Sequence, residues 1–137
     1  MKLTQLMNSF DTLTLTKLEE YLAQPDVNLN SRYRTRGYHP LQGETLLTAA
    51  CLLARVDIVT RLLEEKNTQG DLKLDIDYPS LDSQTGERTT PLICAVENDR
   101  LEIAKLLLVA GADPNVEKNG QTAMMIAEDA NKPKMIT

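Results

Sequence analysis

The sequence predicts an all-α fold, a solenoid of stacked helix-turn-helix pairs with two long inter-repeat loops. Residues 89–115, TTPLICAVENDRLEIAKLLLVAGADPN, spell out two short helices together with the signals that start and stop them. The same pattern recurs upstream from Thr45 and downstream from Thr122. Composition agrees: 42% of residues are hydrophobic, yet there are only four Tyr, one Phe and no Trp. Leu, Ala, Ile and Met at helical spacing must therefore fill the space between stacked helix pairs.

The elements follow in order. Residues 1–28 read as an N-terminal capping repeat, because Leu3, Leu6, Met7 and Phe10 fall at i, i+3, i+4 and i+7, and Leu15, Leu18, Tyr21 and Leu22 make a second apolar face. Thr16 and Glu19 have capping-box spacing at the start of that second helix. Pro25-Asp26-Val27-Asn28 then turns the chain. Residues 29–44 are an inserted loop, and residues 45–66 carry the helices of the second repeat. ETLLTAACLLARVDIVTRLL overlays TTPLICAVENDRLEIAKLLL with Ala50 on Ala95, Ile58 on Ile103 and Leu62-Leu63 on Leu107-Leu108.

Residues 67–89 are a second, acidic inserted loop, and residues 90–115 are the third repeat. Thr90 is placed to cap a helix that begins at Pro91, where the missing proline N–H costs nothing. Gly111 suits a left-handed C-terminal cap, followed by the turn Asp113-Pro114-Asn115. Residues 116–137 are a partial fourth repeat in which NGQTAMMIAEDAN restates the first helix, with Ala127 on Ala95. Met135-Ile136-Thr137 read as the opening of a further helix, so we expect a fragment of a longer protein. A half-unit acting as a cap is the alternative.

Charge and cysteine usage narrow the function. The formal net charge is −5, which argues against a general nucleic-acid binder, since that needs a basic field. No apolar run long enough to span a membrane and no signal-peptide h-region is present, so the chain reads as an intracellular, cytoplasmic protein without membrane association. Cys51 and Cys94 occupy equivalent helical neighbourhoods and read as small packing residues rather than a disulfide. With a single His39 they make no metal cluster, and neither is placed as a catalytic nucleophile. Asp75, Asp77 and Asp82 lack the loop pattern that calcium requires. No cofactor and no enzymatic activity are expected.

The order TP, LEIAKLLL, GADPN closely resembles the ankyrin repeat, a unit of about 33 residues. The resemblance implies protein recognition through a concave face. Carried over by aligned position, the contact residues are Leu52-Leu53, Glu97-Asn98, Lys118-Asn119 and Gln121. Irregular ankyrin domains with insertions are also similar to those of secreted effectors of intracellular bacteria, which act on host proteins inside the host cell. We expect a monomer that binds another protein, or else a targeting or regulatory domain of a longer enzyme.

The departures from the family carry information too. Where the family has His after the capping Thr, this chain has Thr48, Ile93 and Met125. The family's inter-helix Gly is replaced by Ala54 and Asp99, and because Ala tolerates a left-handed backbone poorly, a remade loop is expected at Ala54. Together these losses predict modest stability. Measured against the turn before Thr122, the first insertion adds about ten residues and the second about thirteen, and insertions in a solenoid map to loops that often bind. In the first, Arg32, Arg34 and Arg36 alternate with Tyr33 and Thr35, followed by Tyr38 and His39. In an extended segment the arginines would share one side, suited to carboxylates or phosphates. The second holds Asp71, Asp75, Asp77, Asp82 and Glu87 against Lys73, and its LKLDID alternates like an edge strand. The arginine segment either binds a partner, pairs with the acidic insertion or is a solvated loop. Leu52-Leu53, whose equivalents are Glu97-Asn98 and Asp129-Ala130, either meet the second insertion folding back, contact a partner or mark a misaligned helix end.

Overall fold

Each apolar stretch of this chain is too short to stand as a helix alone, and stacking supplies what length does not. The computed structural model describes residues 2–81 and 86–129. Its helices are α1 (Leu3–Asn8), α2 (Leu15–Leu22), α3 (Leu46–Leu52), α4 (Val56–Leu63), α5 (Pro91–Glu97), α6 (Leu101–Val109) and α7 (Ala123–Asp129), with a 3-10 turn at Phe10–Thr12. α3 packs on α4 and α5 on α6 as hairpins, α3, α5 and α7 stack side by side, and α2, α4 and α6 form a second row. Between the rows lie Leu18, Ile58, Val59, Leu62, Ile93, Ile103 and Leu107, all fully buried. Ala49, Ala50, Ala95 and Ala127 are buried as well, and their small size lets the helices close on one another.

Threonine starts the repeats as the sequence predicts. The Thr90 hydroxyl accepts from Ile93 N–H with Pro91 in the first turn, and Thr122 accepts from Met125 N–H. At α3 the cap is reciprocal: Thr48 N–H donates to Thr45 Oγ1 at 3.1 Å and Thr45 N–H donates to Thr48 Oγ1 at 2.8 Å. Thr48 thus closes a capping box inside the buried helix end. In the first repeat the cap is Thr14, which accepts from Lys17 N–H, rather than Thr16. Glu19 is drawn away by Arg61 on α4, which it meets in an ion pair. Leu15, one position inside the helix, is left exposed.

The helix ends repeat one device. Arg55 N–H reaches back to Ala50 O at 2.9 Å, Arg100 N–H to Ala95 O at 2.7 Å and Ala112 N–H to Leu107 O at 2.9 Å, each across a left-handed residue. That residue is Ala54 (φ 56°), Asp99 (φ 60°) and Gly111 (φ 106°). These are Schellman caps, and all three satisfy helix carbonyls in the same way. The loop at Ala54 is therefore not remade. The cap geometry holds the alanine in a backbone region that disfavours it.

The two insertions join into one backbone layer. Tyr33 N–H donates to Glu44 O at 2.7 Å, Gly43 N–H to Tyr33 O at 2.8 Å and Leu81 N–H to Gly43 O at 3.0 Å. Strand β1 (Ser80–Leu81) then pairs antiparallel with β2 (Arg88–Thr89). LKLDID is not the strand. Its Leu74 and Ile76 are buried, but Asp75 accepts from Asp77 N–H in an Asx turn. The same turn appears where Asn28 accepts from Asn30 N–H and where Asp113 accepts from Asn115 N–H. Residues 75–77 are thus the turn of the second repeat, with extra residues both before and after it. Alternation arose from two apolar side chains packing beneath a turn, not from a ladder.

Candidate partner-binding surface

Helices α3 and α5 end side by side, and the first insertion stands over their C-terminal ends. Between them lies a groove of about 520 Å³, lined by Tyr38, His39, Leu52, Glu97, Asn98 and Lys118 among others. Five residues predicted from the sequence therefore meet in one cavity: Tyr38, Leu52, Glu97, Asn98 and Lys118. Each is positioned by a local cause. Asn98 follows the last turn of α5, where its Nδ2 donates to Cys94 O at 2.8 Å. Lys118 Nζ forms an ion pair with Glu97 at 2.9 Å and bridges successive repeats across the groove. Asn119-Gly120 form a two-residue turn with φ 53° and 80°, the Asn-Gly signature of a tight hairpin, closed by Lys118 and Gln121 backbone bonds.

The other predicted residues have different fates. Asn119 Nδ2 donates to Glu87 of the acidic insertion at 3.1 Å, and Gln121 Nε2 donates to Asp129 at 2.5 Å, so both brace the last repeat. Tyr33 is 2% exposed and donates its hydroxyl proton to Asn8 Oδ1 at 2.7 Å; it is a core residue, not a contact residue. Arg32 is half-buried. Its Nε donates to Pro79 O at 2.9 Å and its guanidinium lies 4.9 Å from the centre of the Tyr78 ring. The three arginines therefore do not share a role: Arg32 turns inward, whereas Arg34 and Arg36 are exposed. The insertions do meet, but Arg32 meets a carbonyl and a ring instead of a carboxylate.

Leu52 faces the second insertion across the groove, where Ser80, Glu87 and Thr89 share its lining. Leu52 is half-buried against the core and Leu53 is 41% exposed, and both line a smaller apolar cleft of about 260 Å³ with Phe10, His39, Pro40 and Leu41. Across that cleft stand the first insertion and the first repeat, not the second insertion. The carboxylates of Asp75 and Asp77 accept backbone N–H groups, Asp77 Oδ1 taking the N–H of Asp113 at 3.0 Å. Asp82 and residues 135–137 lie outside the described residues. Among the described residues no cluster of His, Cys, Asp and Glu has metal-binding geometry, and no helix is long and apolar enough to cross a membrane.

The thiols are electrostatically quiet. Burial, reinforced by the carboxylates of Glu44 and Glu97, pushes the Cys94 thiol up to about 12. Burial likewise raises Cys51 well above its ordinary value. Neither supplies a thiolate at neutral pH.

Sequence reasoning missed one pair of side chains. Arg55 Nη1 and Nη2 donate to the carbonyls of Phe10 and Leu13 at 3.1 and 2.6 Å, and Arg100 Nη2 donates to Leu52 O at 2.9 Å. Each arginine starts the second helix of its pair and ties it to the preceding repeat. Their signal was visible in the overlay, where ARVDIV falls on DRLEIA.

The family profile described as ankyrin repeats (3 copies) matches residues 14–118 and 72–137. The chain belongs to the ankyrin-repeat family. Within this ankyrin architecture the lost family histidine at Thr48 is replaced by the Thr45–Thr48 box, which seals the same helix start by a different route. By structure, the chain is similar to a solved chain of the complex "Bd0816 Predatory Endopeptidase from Bdellovibrio bacteriovorus in complex with immunity protein Bd3460", with a TM-score of 0.65 and 25% identity. The match covers 97% of this chain and 59% of that one, so the ankyrin chain described here spans well under two thirds of its neighbour's length. No curated protein matches the sequence.

Proposed function

We propose that this ankyrin domain is a protein-recognition module without intrinsic catalysis, holding a partner protein against the groove beneath the first insertion. One observation carries the reading: Tyr38, Leu52, Glu97, Asn98 and Lys118, from one insertion and three successive repeats, line a single cavity. Such a surface sets Tyr38 and Leu52 beside the polar groups of Glu97, Asn98 and Lys118, and recognition sites mix both kinds of contact. The buried, protonated thiols agree with a non-catalytic role. The neighbouring solved structure is itself a complex of two proteins, which favours a protein as the occupant. The chain acts as a cytoplasmic monomer on this reading.

A second reading makes this chain the targeting or regulatory part of a longer enzyme or of a secreted bacterial effector. It is favoured by the greater length of the solved chain that it matches.

The test compares affinity capture by wild type, Glu97→Lys and Leu52→Glu. Charge reversal at Glu97 sets two cations together in the groove and is expected to release the partner while the helical circular dichroism is unchanged. Folded variants that both retain every partner would place recognition elsewhere.

A further inference from the structure

The first insertion is an unusual loop, because its alternating side chains are divided between anchoring and exposure. Arg32 is fastened to the second insertion through Pro79 O at 2.9 Å and the face of Tyr78. Tyr33 is sunk into the core beside Asn8, and its backbone pairs with Gly43 and Glu44. Further out, Thr35 N–H donates to Gln42 Oε1 at 2.9 Å, and His39 Nδ1 accepts from Leu41 N–H at 3.1 Å. The His39 ring stands edge-on to Tyr33 with centroids 5.0 Å apart. Both limbs of the loop are thereby tied to the fold and to each other.

What remains outside is chemically specific. Arg34 and Arg36 are exposed, and the ion pairs among the described residues use neither of them. Tyr38 is 85% exposed, against 2% for Tyr33 on the same loop. Two guanidiniums and a phenol ring, held on a braced loop, lose less conformational freedom on binding than they would on a floppy one.

We propose that Arg34, Arg36 and Tyr38 form a preorganised docking tip for an acidic segment of the partner protein. The inference rests on the protein-recognition reading above and adds the partner's chemistry. Guanidiniums match carboxylates in bidentate geometry, and the Tyr38 ring, which also walls the groove, gives the segment an apolar rest next to that charge. A nucleic acid fits poorly. Its affinity comes mainly from releasing counterions along a run of phosphates, and two arginines release few.

Fluorescence anisotropy tests this with three labelled probes: an Asp/Glu-rich peptide carrying one Leu, the same peptide with Lys at every acidic position, and a single-stranded DNA of equal length. The proteins are wild type, Arg34→Glu/Arg36→Glu, Tyr38→Ala and, as a charge control on exposed Lys105 of α6, outside the groove lining, Lys105→Glu. Wild type is expected to bind the acidic peptide best, with affinity falling as salt rises. The double reversal should weaken it by about tenfold, Tyr38→Ala should weaken it less, and Lys105→Glu should leave it unchanged. Because the substituted side chains are exposed, melting temperatures should stay together. Failure of wild type to bind the acidic peptide, equal binding by the double variant, or preference for the DNA or the basic peptide would each overturn the docking tip. In the capture experiment, a partner lost by Glu97→Lys but kept by Arg34→Glu/Arg36→Glu overturns the tip and leaves the groove reading standing; the reverse pattern does the opposite.

Discussion

The guanidinium of Arg100 donates to the carbonyl oxygen of Leu52 at 2.9 Å, tying the start of α6 to the end of α3 one repeat earlier. Arg55 makes the corresponding link to Phe10 O and Leu13 O. In a solenoid, stability is the sum of repeat terms and interface terms, and these bonds belong to the interfaces. Charge-assisted bonds to carbonyls contribute about 1.5 to 3 kcal/mol. Arg100→Ala and Arg55→Ala should each lower the unfolding free energy by about 1 to 3 kcal/mol in urea titrations. Lysine at Arg55 should restore only part, since it lacks the fork that spans two carbonyls.

Ala54 occupies a left-handed cap at φ 56° while its side chain is exposed, so it carries backbone strain with no packing in return. Ala54→Gly should stabilise the domain by about 1 kcal/mol, seen as a higher urea midpoint at unchanged slope. Asp99→Gly should gain less, because Asp tolerates this region better than Ala. No gain at Ala54 would mean that the cap is not left-handed in solution.

Gly43 is the point where the two insertions touch through backbone alone. A Cβ added there would stand 1.8 Å from Leu81 O, and φ is 84°. Gly43→Ala must therefore force the insertions apart, at a cost of about 1 to 3 kcal/mol. Hydrogen exchange should locate the damage: the Leu81 amide, bonded to Gly43 O, should exchange faster, while the amides inside α5 keep their protection relative to global unfolding.

Glu65 reports acid sensitivity. Burial pushes its carboxyl up, but hydrogen bonds and charge from Arg61 and Lys73 outweigh this and hold it below its ordinary 4.5. A depressed carboxyl contributes stability above its unfolded value and loses it as pH falls through the folded one. Glu65→Gln should therefore be less stable than wild type at neutral pH, with the gap closing below about pH 4.5. A gap that stays constant down to pH 3 would show that the ion pairs add nothing.

Much of this was legible because it is local. Thr90, Pro91 and Gly111 sit within one turn of the backbone groups they satisfy, so their roles follow from spacing alone. The capping Thr14 was missed because Thr16 has the same chemistry two residues on, and Glu19, which completes the spacing from Thr16, is paired with Arg61 instead. LKLDID misled for a related reason. A period of two records which side chains are buried, and an Asx turn over packed Leu74 and Ile76 produces it as readily as a strand does. Of the predicted surface, the helix-borne and turn-borne residues Leu52, Glu97, Asn98 and Lys118 did converge, because the repeat fixes where each points.

The sequence by itself determined the repeat, the caps at Thr90 and Gly111 and the family, since helix signals act over three or four residues and recur wherever the pattern recurs. Only the tertiary structure decided which residues of the first insertion are anchors and which are exposed. Arg32, Tyr33 and Gly43 find their partners at Pro79, Asn8 and Leu81, far along the chain, and a loop side chain turns inward only where another segment offers it a carbonyl, an amide or a ring. Nothing in the alternation of Arg and Tyr distinguishes Arg32 from Arg34; the neighbouring insertion does.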